Sequence, residues 1–138
     1  LNLTGKTICL KSIKTMNILV LAVVLATQVG ASLPDITKAI SNGDAATLGQ
    51  YFDQSVTVAI LDQEDIYDKA GAINAVKQFF AKNAPRGFSQ VHQGTSKGAD
   101  SQYVIGNLNT SGGTFRAYIY VKSADGKTLI QELRFDKE

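Results

Sequence analysis

Three spacings of apolar residues succeed one another along this chain. Ile18 to Val29 is apolar on every side, interrupted only by Thr27 and Gln28. From Pro34 the spacing turns helical: Ile36, Ala39 and Ile40 share a face, Pro34 takes a first helical position, and Asn42-Gly43 ends the helix. Asp44 then caps a second short helix with Ala45, Leu48, Tyr51 and Phe52 facing inward. Ser55–Leu61 alternates, with Val56, Val58 and Ile60 on one side, and reads as a strand. Asp62–Asp65 reads as a polar turn. Asp68 is the N-cap of the longest helix, predicted over Lys69–Asn83 with Ile73, Val76, Phe79 and Phe80 as its buried stripe; Pro85 and Gly87 stop it.

A period of two governs the rest. Phe88–Thr95, Ser101–Asn109, Thr114–Lys122 and Thr128–Phe135 read as strands, separated by Ser96–Gly98, Ser111–Gly113 and Ala124–Gly126. Those glycine-bearing breaks are hairpin signals, so the second half is expected to be an antiparallel meander. A two-residue Ser111-Gly112 loop pairs Thr110 with Gly113, Leu108 with Phe115 and Val104 with Ile119. A three-residue Ala124–Gly126 loop pairs Val121 with Leu129 and Ala117 with Leu133. Both registers gather Val104, Leu108, Phe115, Ala117, Ile119, Val121, Leu129, Leu133 and Phe135 on a face that packs against the helices. Gly106 beside Ala117 leaves a thin spot there, suited to a bend or a close helix. The opposite face collects Tyr103, Ile105, Asn107, Arg116, Tyr118, Tyr120, Ile130, Glu132 and Arg134. It is too aromatic for a face that only meets water.

The apolar run at 18–29 is too short to span a hydrocarbon core, which takes about 20 residues. Lys6, Lys11 and Lys14 precede it and small residues follow, the pattern of a secretory signal peptide. Val29-Gly30-Ala31 places cleavage between Ala31 and Ser32, giving a leader over 1–31 and one domain over 32–138. Met16 is a second candidate start. The expected destination is the periplasm or the medium, with no stable membrane insertion once the leader is gone.

Cleavage changes the charge. The whole chain carries 14 basic and 12 acidic side chains, net +2. Without the three leader lysines the domain has a net charge of −1, and no basic run remains to suggest nucleic acid. The one cysteine, Cys9, also leaves, so the domain is expected to rely on core packing without disulfide or thiol chemistry.

Two short helices, a strand, a longer helix and a curved meander together resemble the nuclear-transport-factor-2-like (cystatin-like) superfamily. The fold expected is α+β: a cone with N-terminal helices packed on a curved antiparallel sheet. Four segments are closer still to one family. Val91–Ser96 (VHQGTS), Tyr103–Leu108 (YVIGNL), Gly113–Tyr118 (GTFRAY) and Leu129–Arg134 (LIQELR) are similar to domain-of-unknown-function family 4783, small exported proteins of Bacteroidetes-type bacteria. The resemblance covers about Pro34 to Lys137. It implies fold and export but no activity, because the superfamily hosts isomerases, dehydratases, cyclases and many non-catalytic modules.

The candidate chemistry is sparse. His92 is the sole histidine, and superfamily enzymes use acids or His for proton transfer within the cone, so His92 is a weak catalytic candidate. Nothing in the spacing supplies it with a carboxylate, and no metal site or cofactor is expected. Gln90–Gly94 differs from the cystatin inhibitory loop Q-x-V-x-G in having His92 where that motif has Val, and the chain has no Trp for its second wedge. Arg116 and Arg134 fall opposite one another in the register above, which calls for a counter-charge. Glu132, diagonal to Arg116, supplies it internally, or an anionic ligand or a partner's acidic residues do. Tyr103, Tyr118 and Tyr120 beside them offer rigid amphipathic area of the kind enriched in interfaces. The expected function is a non-catalytic ligand- or protein-binding module, homodimeric through this face, with a small ligand or envelope protein as further partner. The alternative is a dehydratase- or isomerase-type enzyme using His92 with a carboxylate.

Overall fold

The computed structural model describes residues 33–96 and 100–138; the expected leader and its cleavage site lie outside them. Helix α1 runs over Leu33–Ser41 and buries Leu33, Ile36, Ala39 and Ile40. Its end is set by Gly43 at φ +66°: the amide of Gly43 donates to the Ile40 carbonyl (3.0 Å) and that of Asp44 to Ala39 (2.9 Å). This is the glycine-dependent helix stop that satisfies two otherwise orphaned carbonyls. Asp44 then caps α2, Ala45–Gly49, its carboxylate accepting from the Thr47 amide at 3.0 Å.

Strand β1 covers Phe52–Ile60 and is followed by β2, Gln63–Asp68. The polar turn expected at Asp62–Asp65 is therefore shorter and earlier. Leu61 and Asp62 make the turn, and the residues beyond it return as an edge strand with Ile60 opposite Gln63. Asp68 caps α3, Lys69–Lys82, whose buried residues are Ala72, Val76, Phe79 and Phe80. Ile73 is only half-buried and closes on Gly49 of α2, where an added Cβ would lie 2.5 Å from its side chain.

The meander follows as β3 (Pro85–Ser96), β4 (Ser101–Thr110), β5 (Gly113–Ala124) and β6 (Lys127–Lys137). The six strands form one curved sheet in the order β2-β1-β6-β5-β4-β3, antiparallel except where β1 meets β6. The β4–β5 register is the expected one, with Leu108 opposite Phe115 and Val104 opposite Ile119. Its tip is latched to the end of α3: Ser111 donates its amide to the Ala84 carbonyl (2.9 Å) and its hydroxyl accepts from the Ala84 amide (3.0 Å).

The β5–β6 register differs. Asp125 and Gly126 both take positive φ, 52° and 74°, so the loop has two residues rather than three. Val121 pairs with Ile130, a bulge absorbs Gln131, and Tyr120 then pairs with Glu132. Ile130 is in consequence fully buried and Leu129 only half-buried, the reverse of the faces expected for them. Beyond the bulge the alternation recovers, but each partner is displaced by two: Ala117 faces Phe135, and Arg116 faces Asp136 instead of Arg134.

The core lies between helices and sheet. Phe79 stacks on Phe135 (centroids 4.4 Å, 17°) and meets Phe115 edge-on (5.1 Å, 87°), which docks α3 on β5 and β6. The thin spot at Gly106, opposite Ala117 as expected, is filled by Phe88 of β3 and not by a helix; a Cβ on Gly106 would lie 2.2 Å from the Phe88 ring. Among the described residues no helix is long and apolar enough to cross a membrane.

Candidate functional site

The face of the sheet turned away from the helices is built by strand register. Opposed residues share a face, so pairing across the sheet sets out rows of side chains. One row runs Glu64, Ala59, Arg134, Tyr118, Ile105, His92 from β2 to β3. The next runs Ile66, Thr57, Glu132, Tyr120, Tyr103, Gly94. Tyr103, Tyr118, Tyr120, Glu132 and Arg134 therefore lie on this face with His92, and Arg116, two residues before Tyr118 on β5 and opposite Asn107 and Asp136, shares it.

Its centre is aromatic. Tyr103 stacks on Tyr118 with centroids 6.2 Å apart and 27° between planes, and Tyr120 is opposite Tyr103. Tyr103 leans over Gly94, where a Cβ would meet the ring at 2.7 Å, and this brings its hydroxyl to 3.0 Å from His92 Nε2. The three tyrosines are half-buried, whereas His92 is exposed. Burial, then the negative charge of Glu132, pushes the Tyr118 phenol above its ordinary value of 10.0, so it is a neutral donor at physiological pH.

Charges flank the aromatics. The Arg134 guanidinium hydrogen-bonds Glu132 on its own strand and reaches across β1 to Glu64 at 2.8 Å. Ala59, lying between them in the row, is small enough for the arginine to pass over. Arg134 is thereby held ionised, first by its hydrogen bond to Glu132. Arg116 pairs with Glu138 at 2.9 Å, both side chains exposed, a contact that contributes at most about 1 kcal/mol. The two arginines therefore do not oppose one another as expected; two-residue displacement separates them, and Glu132 serves Arg134 rather than Arg116. Between Arg116 and Ser89, Asn107 has a side-chain oxygen that is buried yet accepts no hydrogen bond.

Glu64 and Glu138 were not foreseen as members of the site. Glu64 falls in the segment read as a turn, where acids are ordinarily solvated. Glu138 follows the last expected strand.

The helix side carries a pocket of about 510 Å³ between the β1–β2 turn and the C-terminal half of α3. Its walls include Leu61, Asp62, Tyr67, Phe79 and Lys82. His92 is on the other face of the sheet and touches a phenol rather than a carboxylate. Gln131 donates its side-chain amide to the Asp53 carboxylate at 2.6 Å. Among the described residues no three His, Cys, Asp or Glu side chains are grouped to hold a metal.

Comparison with known proteins agrees with this architecture. The family model described as "Domain of unknown function (DUF4783)" matches residues 33–136. A DUF4783 protein from Bacteroides ovatus is 33% identical, with a TM-score of 0.71 over 75% of this chain and 93% of its own. One from Bacteroides fragilis is 28% identical, with a TM-score of 0.72 over 78% of this chain and 100% of its own. A nuclear-transport-factor-2-like protein from Cytophaga hutchinsonii shares the fold at 19% identity, with a TM-score of 0.57 over 76% of this chain and 91% of its own. No protein of curated function matches. The match over almost the whole described domain, with a structural relative at one-third identity, means that this chain belongs to the DUF4783 family and has its nuclear-transport-factor-2-like fold.

Proposed function

We propose that this domain is a non-catalytic interaction module, working outside the cytoplasm after loss of its leader, whose outer sheet face pairs two copies of the chain. The observation that carries this reading is the Tyr103–Tyr118 stack, extended by Tyr120 and His92, on the face that the helices leave uncovered. Rigid aromatic rings with polar tips supply contact area at little entropic cost, which is why they concentrate where proteins meet. Both signs of charge border the ring cluster, so a two-fold arrangement can set the acidic Glu132 and Glu64 side of one copy against Arg116 of the other.

The alternative, proton transfer by His92 with a carboxylate, has less support. The imidazole's partner is the Tyr103 hydroxyl, and His92 lies on the opposite face of the sheet from the pocket beside α3.

Sedimentation equilibrium of the exported protein tests the reading. The expected mass is that of a dimer, with dissociation at least roughly tenfold easier for Tyr118→Ala combined with Arg116→Ala. A wild-type protein that stays monomeric, or a double variant that associates as tightly, would overturn it.

A further inference from the structure

Leu61 is one of two non-glycine residues among those described with positive φ, at 56°, and it is the apolar one. At the other hairpin Asp125 takes that conformation, a residue type that tolerates it. The β1–β2 turn instead holds a leucine there, half exposed, its amide fixed by the Phe135 carbonyl at 2.8 Å. The result is an apolar side chain on the wall of the 510 Å³ pocket, continuous with Ile60, Tyr67 and Phe79. Strain retained beside a cavity is where a binding role is to be sought.

The same pocket is bordered by one acid and one base. Asp62 lies beside Leu61 in the turn, and Lys82 ends α3. Both residues are exposed at the pocket, and among the described residues neither side chain has a hydrogen-bond or ion-pair partner. A volume near 510 Å³ is within the range of small-molecule sites, roughly 300–1,000 Å³. An occupant that matches these walls has an ammonium for Asp62, a carboxylate for Lys82 and an apolar body for Leu61, Tyr67 and Phe79.

We infer that this pocket binds a zwitterionic apolar ligand, either a free apolar amino acid or a short peptide with free termini. The site is on the helix side of the sheet and is independent of the pairing face.

Calorimetry on the purified full chain with leucine, leucyl-leucine and N-acetyl-leucinamide tests this. Saturable binding of leucine or leucyl-leucine is expected with a dissociation constant of about 1 mM or tighter, and the doubly blocked compound at least roughly tenfold weaker. Leucine alone binding identifies the free amino acid, and the dipeptide alone identifies peptide termini. Asp62→Asn and Lys82→Gln are each expected to weaken binding roughly tenfold with unchanged melting, since both residues are exposed. Absence of binding by both zwitterions, equal binding of the blocked compound, or indifference to both substitutions would overturn the inference.

Discussion

The Nε2 atom of His92 lies 3.0 Å from the hydroxyl of Tyr103, and the rings tilt at 43° with centroids 5.6 Å apart. The contact joins β3 to β4 on the outer face, next to the bulge at Val91 that shifts the register between Gln90 and His92. Which of the two atoms donates depends on the tautomer of the ring, and the phenol can take either role. Tyr103→Phe is expected to lower stability by about 0.5–1.5 kcal/mol. Imidazole nitrogen shifts measured by NMR check whether His92 has lost its partner.

Gly106 admits the Phe88 ring from β3 into the core. Gly106→Ala would set a methyl 2.2 Å from Phe88 Cζ and 2.7 Å from the Ser89 carbonyl oxygen, and the second of these is backbone. Denaturant unfolding should report a loss of about 1–3 kcal/mol, the usual cost of overpacking. A neutral result would mean that β3 is free to retreat from β4.

Much of the fold was legible because helix caps and turns carry local chemistry. Asp44 and Asp68 cap α2 and α3 as their spacing indicates, and Ser111-Gly112 admits one register for β4–β5. The β5–β6 register was not legible, since Ala124–Gly126 accommodates a loop of two or three residues and nothing in the sequence marks Gln131 as a bulge. Strand β2 was missed because it is an exposed edge: of Gln63–Asp68 only Tyr67 is even half-buried, so the alternation that betrays a strand is absent. The tyrosines and arginines of the outer face were legible, and bulge recovery kept Glu132 and Arg134 on it. Their pairing was not, because it depends on the displaced register and on Glu64 from the missed strand.

Leu61 retains backbone strain of roughly 1–2 kcal/mol in the left-handed region. Leu61→Asn tolerates that conformation, and thermal unfolding should show a gain of about 1 kcal/mol. A loss instead would show that packing of the leucine outweighs its strain.

Asp44 links stability to acid pH. The Thr47 hydroxyl, then the Thr47 amide, donate to its carboxylate and hold its pKa below the ordinary 3.8. A folded pKa below the unfolded one means that the cap contributes stability above pH 3.8, which fades as pH falls through the lowered value. Asp44→Ala should melt earlier than wild type at neutral pH, and the gap should close on acidification below that point. A gap independent of pH would assign the cap's effect to something other than its charge.

A crystal structure of the exported protein, read for what covers Tyr118, tests the central claim most directly. The account predicts a second copy across a two-fold axis, burying Tyr103, Tyr118 and Tyr120 from both chains in an interface of at least about 1,000 Å². Tyr118 open to solvent in a protein that is monomeric in solution would contradict it.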